Sequence, residues 1–134
     1  MWYNYTMDII ITNNILVKTN CAGEYRIEYS EEWLNVRDVL VCVRDYIHKG
    51  HCLLTHPLSG SVKPNETPYK SVLISGEPQK SAATIKNVKT DAQSLQIIEN
   101  SIMKLGSFTQ KNIPEHCLPD LREIDFALIS SAIK

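Results

Sequence analysis

The sequence lacks the signatures of several protein classes. Its 14 lysines and arginines against 15 aspartates and glutamates leave a net charge of -1, without the basic surplus typical of proteins that bind nucleic acid or anionic membranes. No apolar run is long enough for a transmembrane helix, and the first residues lack the basic and apolar regions of a signal peptide. We therefore expect a cytoplasmic protein with no nucleic-acid or membrane partner.

Paired cysteine motifs and the familiar cofactor motifs are missing. The four cysteines, Cys21, Cys42, Cys52 and Cys117, form no Cys-x-x-Cys pair, so we expect small buried thiols in a reducing compartment. The sequence contains neither a phosphate-binding Gly-x-x-x-x-Gly-Lys-Ser/Thr loop nor a dinucleotide-binding Gly-x-Gly-x-x-Gly motif. It also has no Gly-x-Ser-x-Gly nucleophile elbow. Accordingly, we expect no cofactor.

What the sequence does contain is an unusual polar segment at 48–71, lying between two apolar runs. It holds three of the four histidines and three of the six prolines, and its three lysines against one glutamate give a local charge of +2. A long polar loop held between buried elements is usually functional or disordered. The density of proline and hydrogen-bonding side chains here favours function.

Short apolar or alternating runs predict strands. They lie at 8–12, 25–29, 52–55 and 71–75, and Thr84-Ile85 predicts a partial fifth strand. Strands that alternate with helices indicate one layered α/β domain over 7–134, after an N-terminal extension at 1–6. We expect a mostly parallel or mixed sheet of four to five strands flanked by about three helices.

Apolar residues spaced by three and four positions predict those three helices. The first begins at an Asn35 N-cap and ends before Gly50. The second begins at a capping box formed by Thr90 and Gln93. The third begins near Pro119 and directs inward Leu121, Ile124, Leu128 and Ile129.

The strand ends and the polar segment together predict a ligand site. The carboxyl ends of parallel strands meet at one edge of a sheet, where ligands bind, and Thr12, Asn13, Asn14 and His56 follow two predicted strands. The loop adds donors, a flexible glycine and cations: Ser59, Gly60, Ser61, Lys63, Asn65, Thr67, Tyr69 and Lys70. Such a set fits a phosphate or carboxylate ligand. The alternative is a rigid structural loop whose polar groups satisfy one another.

Two further hypotheses concern the histidines. His56 could act as a general acid or base while Lys70 holds an anionic substrate. A metal site could instead use His48, His51, Cys52 and His56, although Gly50 interrupts the helical spacing of the first two histidines and no familiar ligand pattern is completed. His48 also suits a plainer role at the end of a helix.

The central segment resembles a known family. The stretches Ile47–His51, Leu54–Ser71, Ile11–Asn14 and Val43–Asp45 are similar to the GrdX family, small proteins encoded beside glycine, sarcosine and betaine reductases of amino-acid-fermenting anaerobes. The resemblance implies an accessory role in a thiol-dependent pathway that yields acetyl phosphate, through a small anionic ligand or a reductase subunit. It carries over no catalytic residue, and it does not cover the 1–6 extension. From the helix that is apolar on two sides, we also expect a homodimer.

Overall fold

A three-stranded sheet lies between two pairs of helices. The computed structural model describes residues 7–59, 62–78 and 90–133. The strands are β1 (Ile9–Thr12), β2 (Arg26–Tyr29) and β3 (Ser71–Ile74). The helices are α1 (Ile15–Cys21), α2 (Val36–His48), α3 (Ala92–Leu105) and α4 (Leu118–Ala132), and a 3₁₀ turn, Glu115–Cys117, precedes α4. Among the described residues, no helix has the length and apolar character needed to cross a membrane.

The sheet is mixed, in the order β2-β1-β3. β1 runs parallel to β2, with Ile9 opposite Arg26, and antiparallel to β3, with Thr12 opposite Ser71. The end of β1 therefore meets the beginning of β3. This register brings the last residues of the polar loop to the edge of the sheet where β1 finishes.

The central strand supplies both halves of the core. Successive strand residues point to opposite faces, so Ile9 and Ile11 pack with α2 and α3, whereas Ile10 packs with α1 and α4. All three isoleucines are at most 1% exposed. Because both faces of β1 are covered by helices, the predicted α/β layering is confirmed.

The first predicted helix is confirmed at both ends. The Asn35 side chain accepts a hydrogen bond from the Asp38 backbone N–H at 2.9 Å, as expected of an N-cap. Gly50 follows the helix with φ of 103°, a conformation that glycine adopts at little cost. The local sequence therefore determines where α2 begins and ends.

The prediction of four to five strands is wrong, since the described residues form three. The 52–55 segment makes an isolated bridge between Leu53 and Ile74 instead of a strand. The Leu53 N–H is bound by the Ser94 hydroxyl at 3.0 Å, and the N–H groups of Leu54 and Thr55 share the carbonyl of Leu73. Because a side-chain contact and a shared carbonyl replace the regular ladder, the segment forms no strand beside β3. The predicted strand at 84–85 and the 1–6 extension lie outside the described residues.

Two helix predictions also need correction. The prediction of three helices is wrong because α1 begins directly after Asn14, where the sequence predicted only a turn. The N-cap of α3 is Asp91, whose carboxylate accepts a hydrogen bond from the Ser94 N–H at 3.0 Å, so Thr90 and Gln93 do not form the cap. The unpredicted helix begins where the Asn14 side chain accepts a hydrogen bond from the Leu16 N–H at 3.1 Å, so Asn14 caps a helix. The change of cap at α3 is a shift of one residue between neighbouring polar side chains.

Candidate functional site

Asn13 fastens the polar loop to the end of β1. Its Nδ2 donates to the carbonyl oxygens of Trp33 at 3.0 Å and Pro68 at 2.7 Å. Its Oδ1 accepts from the Lys70 backbone N–H at 3.0 Å. The loop therefore folds back over the predicted edge of the sheet. Asn13 uses its amide to hold this geometry, which makes it a positioning residue.

A buried chain of hydrogen bonds continues from this anchor to α4. The Ser71 hydroxyl donates to Asp125 Oδ2 at 2.8 Å, so the Thr12 hydroxyl, 2.7 Å away, donates to Ser71. Asn14 donates from Nδ2 to the same Asp125 oxygen at 3.0 Å and to the carbonyl of Arg122 at 2.8 Å. Thr12 and Asn14 thus position α4 beside the loop.

Asp125 and Lys70 both line one small cleft. Its polar lining is Ser59, Thr67, Tyr69, Lys70 and Asp125. The cavity volume is about 20 Å³, room for roughly one water molecule. The ion pairs among the described residues join Arg44 to Glu99 and Lys111 to Glu66. Lys70 and Asp125 therefore form no ion pair with each other.

Burial shifts the pKa of both charged groups in this cleft. Desolvation raises the pKa of Asp125, while hydrogen bonds from Asn14 and Ser71 and the positive charge of Lys70 oppose that rise. Desolvation also lowers the pKa of Lys70, opposed by the charge of Asp125. The Lys70 ammonium donates to the Ser59 carbonyl at 2.9 Å. Each shift brings the group closer to exchanging a proton near neutral pH.

A larger opening, which we call the Arg122 groove, lies on the other side of Tyr69. Its cavity volume is about 320 Å³. The polar lining consists of Asn13, Tyr29, Glu31, Tyr69 and Arg122. The remaining lining is apolar and consists of Ile15, Trp33, Leu34, Pro68 and Leu118. An apolar lining with a few converging polar groups is typical of small-molecule sites.

The cation of this groove is held by Tyr69. Arg122 Nη1 donates to the Tyr69 hydroxyl at 2.7 Å, and the guanidinium carbon lies 5.6 Å from the centre of the Tyr69 ring. No carboxylate among the described residues forms an ion pair with Arg122. The remaining N–H groups of the guanidinium are therefore available to an anion, which a planar fork can bind through two parallel hydrogen bonds.

Other predicted site residues lie outside these two openings. His56 is exposed, and its Nδ1 accepts the Leu58 N–H at 3.1 Å; its acid–base role stays a prediction. Lys63 is exposed. Asn65 donates to the Thr109 carbonyl at 2.7 Å, and its Oδ1 is buried without a partner among the described residues. Gly60 and Ser61 lie outside the described residues.

The metal hypothesis finds no ligand set in the described part of the chain. No three histidine, cysteine, aspartate or glutamate side chains are grouped there so as to hold a metal ion. His51 is buried, and its Nδ1 donates to the Ser75 carbonyl at 2.7 Å. His48 is the exposed last residue of α2, as its plainer role predicted. The predicted metal ligands therefore have separate structural contacts.

Sequence reasoning missed Arg122 and Asp125. The prediction directed Ile124 inward, but Ile124 is 39% exposed whereas Asp125 is 7% exposed. Asp125 follows Leu121 and precedes Ile129 by one helical turn each, so it shares their face of α4. A carboxylate on this inward apolar stripe was the available signal. The role of Arg122 had no comparable signal.

Comparison with known proteins gives one match. The sequence model of a family described as GrdX-like protein matches residues 9–134, nearly the whole chain. No curated protein and no solved structure matches the chain. The matched residues include every residue that lines either opening.

Proposed function

This chain belongs to the GrdX-like protein family, and on that premise we propose that it is an accessory protein of glycine, sarcosine or betaine reductase systems. We further propose that it binds a small anionic molecule in the Arg122 groove. The polar loop serves this binding by supplying Pro68 and Tyr69 to the wall and by holding Arg122 in place.

The observation that carries the proposal is the small number of contacts that the Arg122 guanidinium makes with the described residues. Within the described part of the chain its side chain donates to one neutral partner, Tyr69, and it faces a groove of about 320 Å³. A partly buried cation without a carboxylate partner stabilises a bound anion more strongly than an exposed one does, because less water competes for its hydrogen bonds. Lys18 does not line the groove; its ammonium lies 4.8 Å from the centre of the Tyr29 ring.

Titration calorimetry with acetate, glycine, acetyl phosphate and inorganic phosphate tests this function. We expect at least one of the four to bind with a Kd of roughly 1 mM or tighter, about -4 kcal/mol. Arg122→Gln is expected to weaken that binding about tenfold, since hydrogen bonds to a charged group contribute about 1.5–3 kcal/mol. The exposed Arg37 provides the matched control, Arg37→Gln, with unchanged affinity.

An absence of binding by all four anions would contradict the small-molecule form of the proposal. The alternative occupant is a reductase component, whose carboxylate side chain or C-terminus would then approach Arg122. In that case Arg122→Gln would weaken the complex between this chain and the purified reductase subunit, while Arg37→Gln would leave it intact. The same pair of variants therefore distinguishes the two occupants.

A further inference from the structure

We infer that the ligand of the Arg122 groove is an amphipathic monocarboxylate, a molecule that carries one carboxylate on an apolar body larger than the methyl group of acetate. The inference rests on the proposed function and adds the chemical class of the ligand. It follows from the size of the groove, from the exposed apolar side chains in its lining and from its single cation.

The groove is larger than a simple anion requires. Its volume is about 320 Å³, against about 20 Å³ for the Lys70–Asp125 cleft, which has room for roughly one water molecule. A ligand larger than a simple anion would therefore fit, whereas acetate or phosphate would leave most of the space to water. A ligand that fills the groove must carry a body beyond its anionic group.

The lining shows that this body is apolar. Leu34 is 75% exposed and Ile15 is 43% exposed, and both line the groove beside Trp33 and Leu118. Large apolar side chains this exposed favour a partner that removes them from water. Leu34 directly precedes the Asn35 cap of α2, and Ile15 is the first residue of α1. Helix starts hold both residues, so the surface is formed before any ligand arrives.

The charges favour a carboxylate over a phosphate. Among the described lining residues, Arg122 is the one cation, and Glu31 adds a negative charge. A phosphate dianion would meet one positive and one negative group, whereas a single guanidinium matches the charge and the planar shape of one carboxylate. Tyr69 fixes the orientation of Arg122 through the hydrogen bond at 2.7 Å. The carboxylate would therefore bind beside Tyr69 and direct the apolar body toward Leu34.

Calorimetric titration of the full chain with four probes tests the inference. Phenylacetate carries both features, acetate and inorganic phosphate carry only the anion, and benzyl alcohol carries only the body. We expect phenylacetate to bind roughly tenfold or more tightly than each of the other three, because only it gains both the ion pair and the burial of the ring. Equal affinity for acetate or phosphate would overturn the inference while leaving the proposed function intact. Equal affinity for benzyl alcohol, which has no negative charge, would also overturn it, because Arg122 would then contribute nothing to ligand binding.

Two matched variants locate the apolar body. Leu34→Ser is expected to weaken phenylacetate binding several-fold and leave acetate binding unchanged. Met103→Ser is the control, because Met103 is also 75% exposed but lies on α3, away from the groove. Both residues are exposed, so both variants should fold, which circular dichroism would verify. If the two variants bind phenylacetate alike, the apolar body does not contact Leu34 and the inference is wrong. If neither phenylacetate nor any of the four simple anions tested above binds the unmodified chain, the proposed small-molecule function fails with it.

Discussion

The Tyr69 hydroxyl accepts a hydrogen bond from Arg122 Nη1 at 2.7 Å, across 53 positions of the sequence. This contact joins the end of the polar loop to α4 and separates the small Lys70–Asp125 cleft from the Arg122 groove. Both openings include Tyr69 in their lining. A change at Tyr69 is therefore transmitted to both.

Tyr69→Phe is expected to weaken phenylacetate binding by roughly threefold to tenfold. The variant keeps the ring beneath the guanidinium but removes the acceptor that orients it, and one hydrogen bond to a charged group contributes about 1.5–3 kcal/mol before rearrangement. Calorimetry measures the change, with Tyr25→Phe as the control, because Tyr25 directly precedes β2 and does not line the groove. Unchanged affinity in Tyr69→Phe would show that the hydroxyl does not position Arg122.

Asn13→Ala is expected to lower the free energy of unfolding by about 2–4 kcal/mol. The substitution removes three hydrogen bonds and leaves backbone groups of Trp33, Pro68 and Lys70 without partners. Urea denaturation followed by fluorescence gives the value. Asn20→Ala removes one exposed hydrogen bond, to the Leu16 carbonyl, and should stay within about 0.5 kcal/mol of the unmodified protein. A similar loss in both variants would contradict the anchoring role of Asn13.

Asp125 is expected to make stability depend on pH. Its folded pKa is raised above the ordinary value of 3.8 by burial, so the folded state holds this proton more tightly than the unfolded chain does. The contribution is present below pH 3.8 and is lost as the pH rises through the folded pKa. We therefore expect the stability of the unmodified protein, relative to Asp125→Asn, to fall as the pH rises above about 4. Urea titrations of both proteins measure this difference, and a constant or rising difference would contradict the shift.

Cys42 is expected to resist alkylation in the folded protein. Burial, together with the charges of Glu28 and Asp45, raises its pKa from 9.0 to about 12, and the thiolate is the reactive form. At a given pH near neutrality its thiolate fraction falls by about a thousandfold. Iodoacetamide labelling with mass spectrometry should show Cys42 protected in buffer and modified in urea. Rapid labelling of Cys42 in both conditions would be inconsistent with this burial.

The sequence predicted those parts of the fold that depend on neighbouring residues. The cap at Asn35, the acidic first turn at Asp38 and the glycine at Gly50 all act within one or two turns of α2, so a local pattern contains the necessary information. The 52–55 segment is different. Its Leu53 N–H is bound by Ser94, 41 positions away, and no local pattern shows that this contact will replace a strand ladder.

The candidate site also has features that the local sequence predicted and features that depend on the whole fold. The sequence placed the loop over the end of β1, and the contact between Asn13 and Lys70 agrees. It expected the side chains of Thr12, Asn13 and Asn14 to face a ligand, whereas their polar groups bind Ser71, Lys70 and Asp125 within the protein. Arg122 reaches Tyr69 only because α4 packs beside α1 and β3. That packing depends on the whole fold, and this is why the principal cation was missed.

The strand order also determines which backbone groups could pair with a strand of another chain. β2 and β3 are both outer strands, and an outer strand can pair with another chain and seed aggregation. β2 carries Arg26 and Glu28, whose charges would have to lose water on such pairing. At β3, the 52–55 segment already occupies backbone groups of Leu73 and Ser75. Charged side chains on β2 and the 52–55 segment beside β3 therefore both oppose the addition of a strand from another chain to the three-stranded sheet of the described residues.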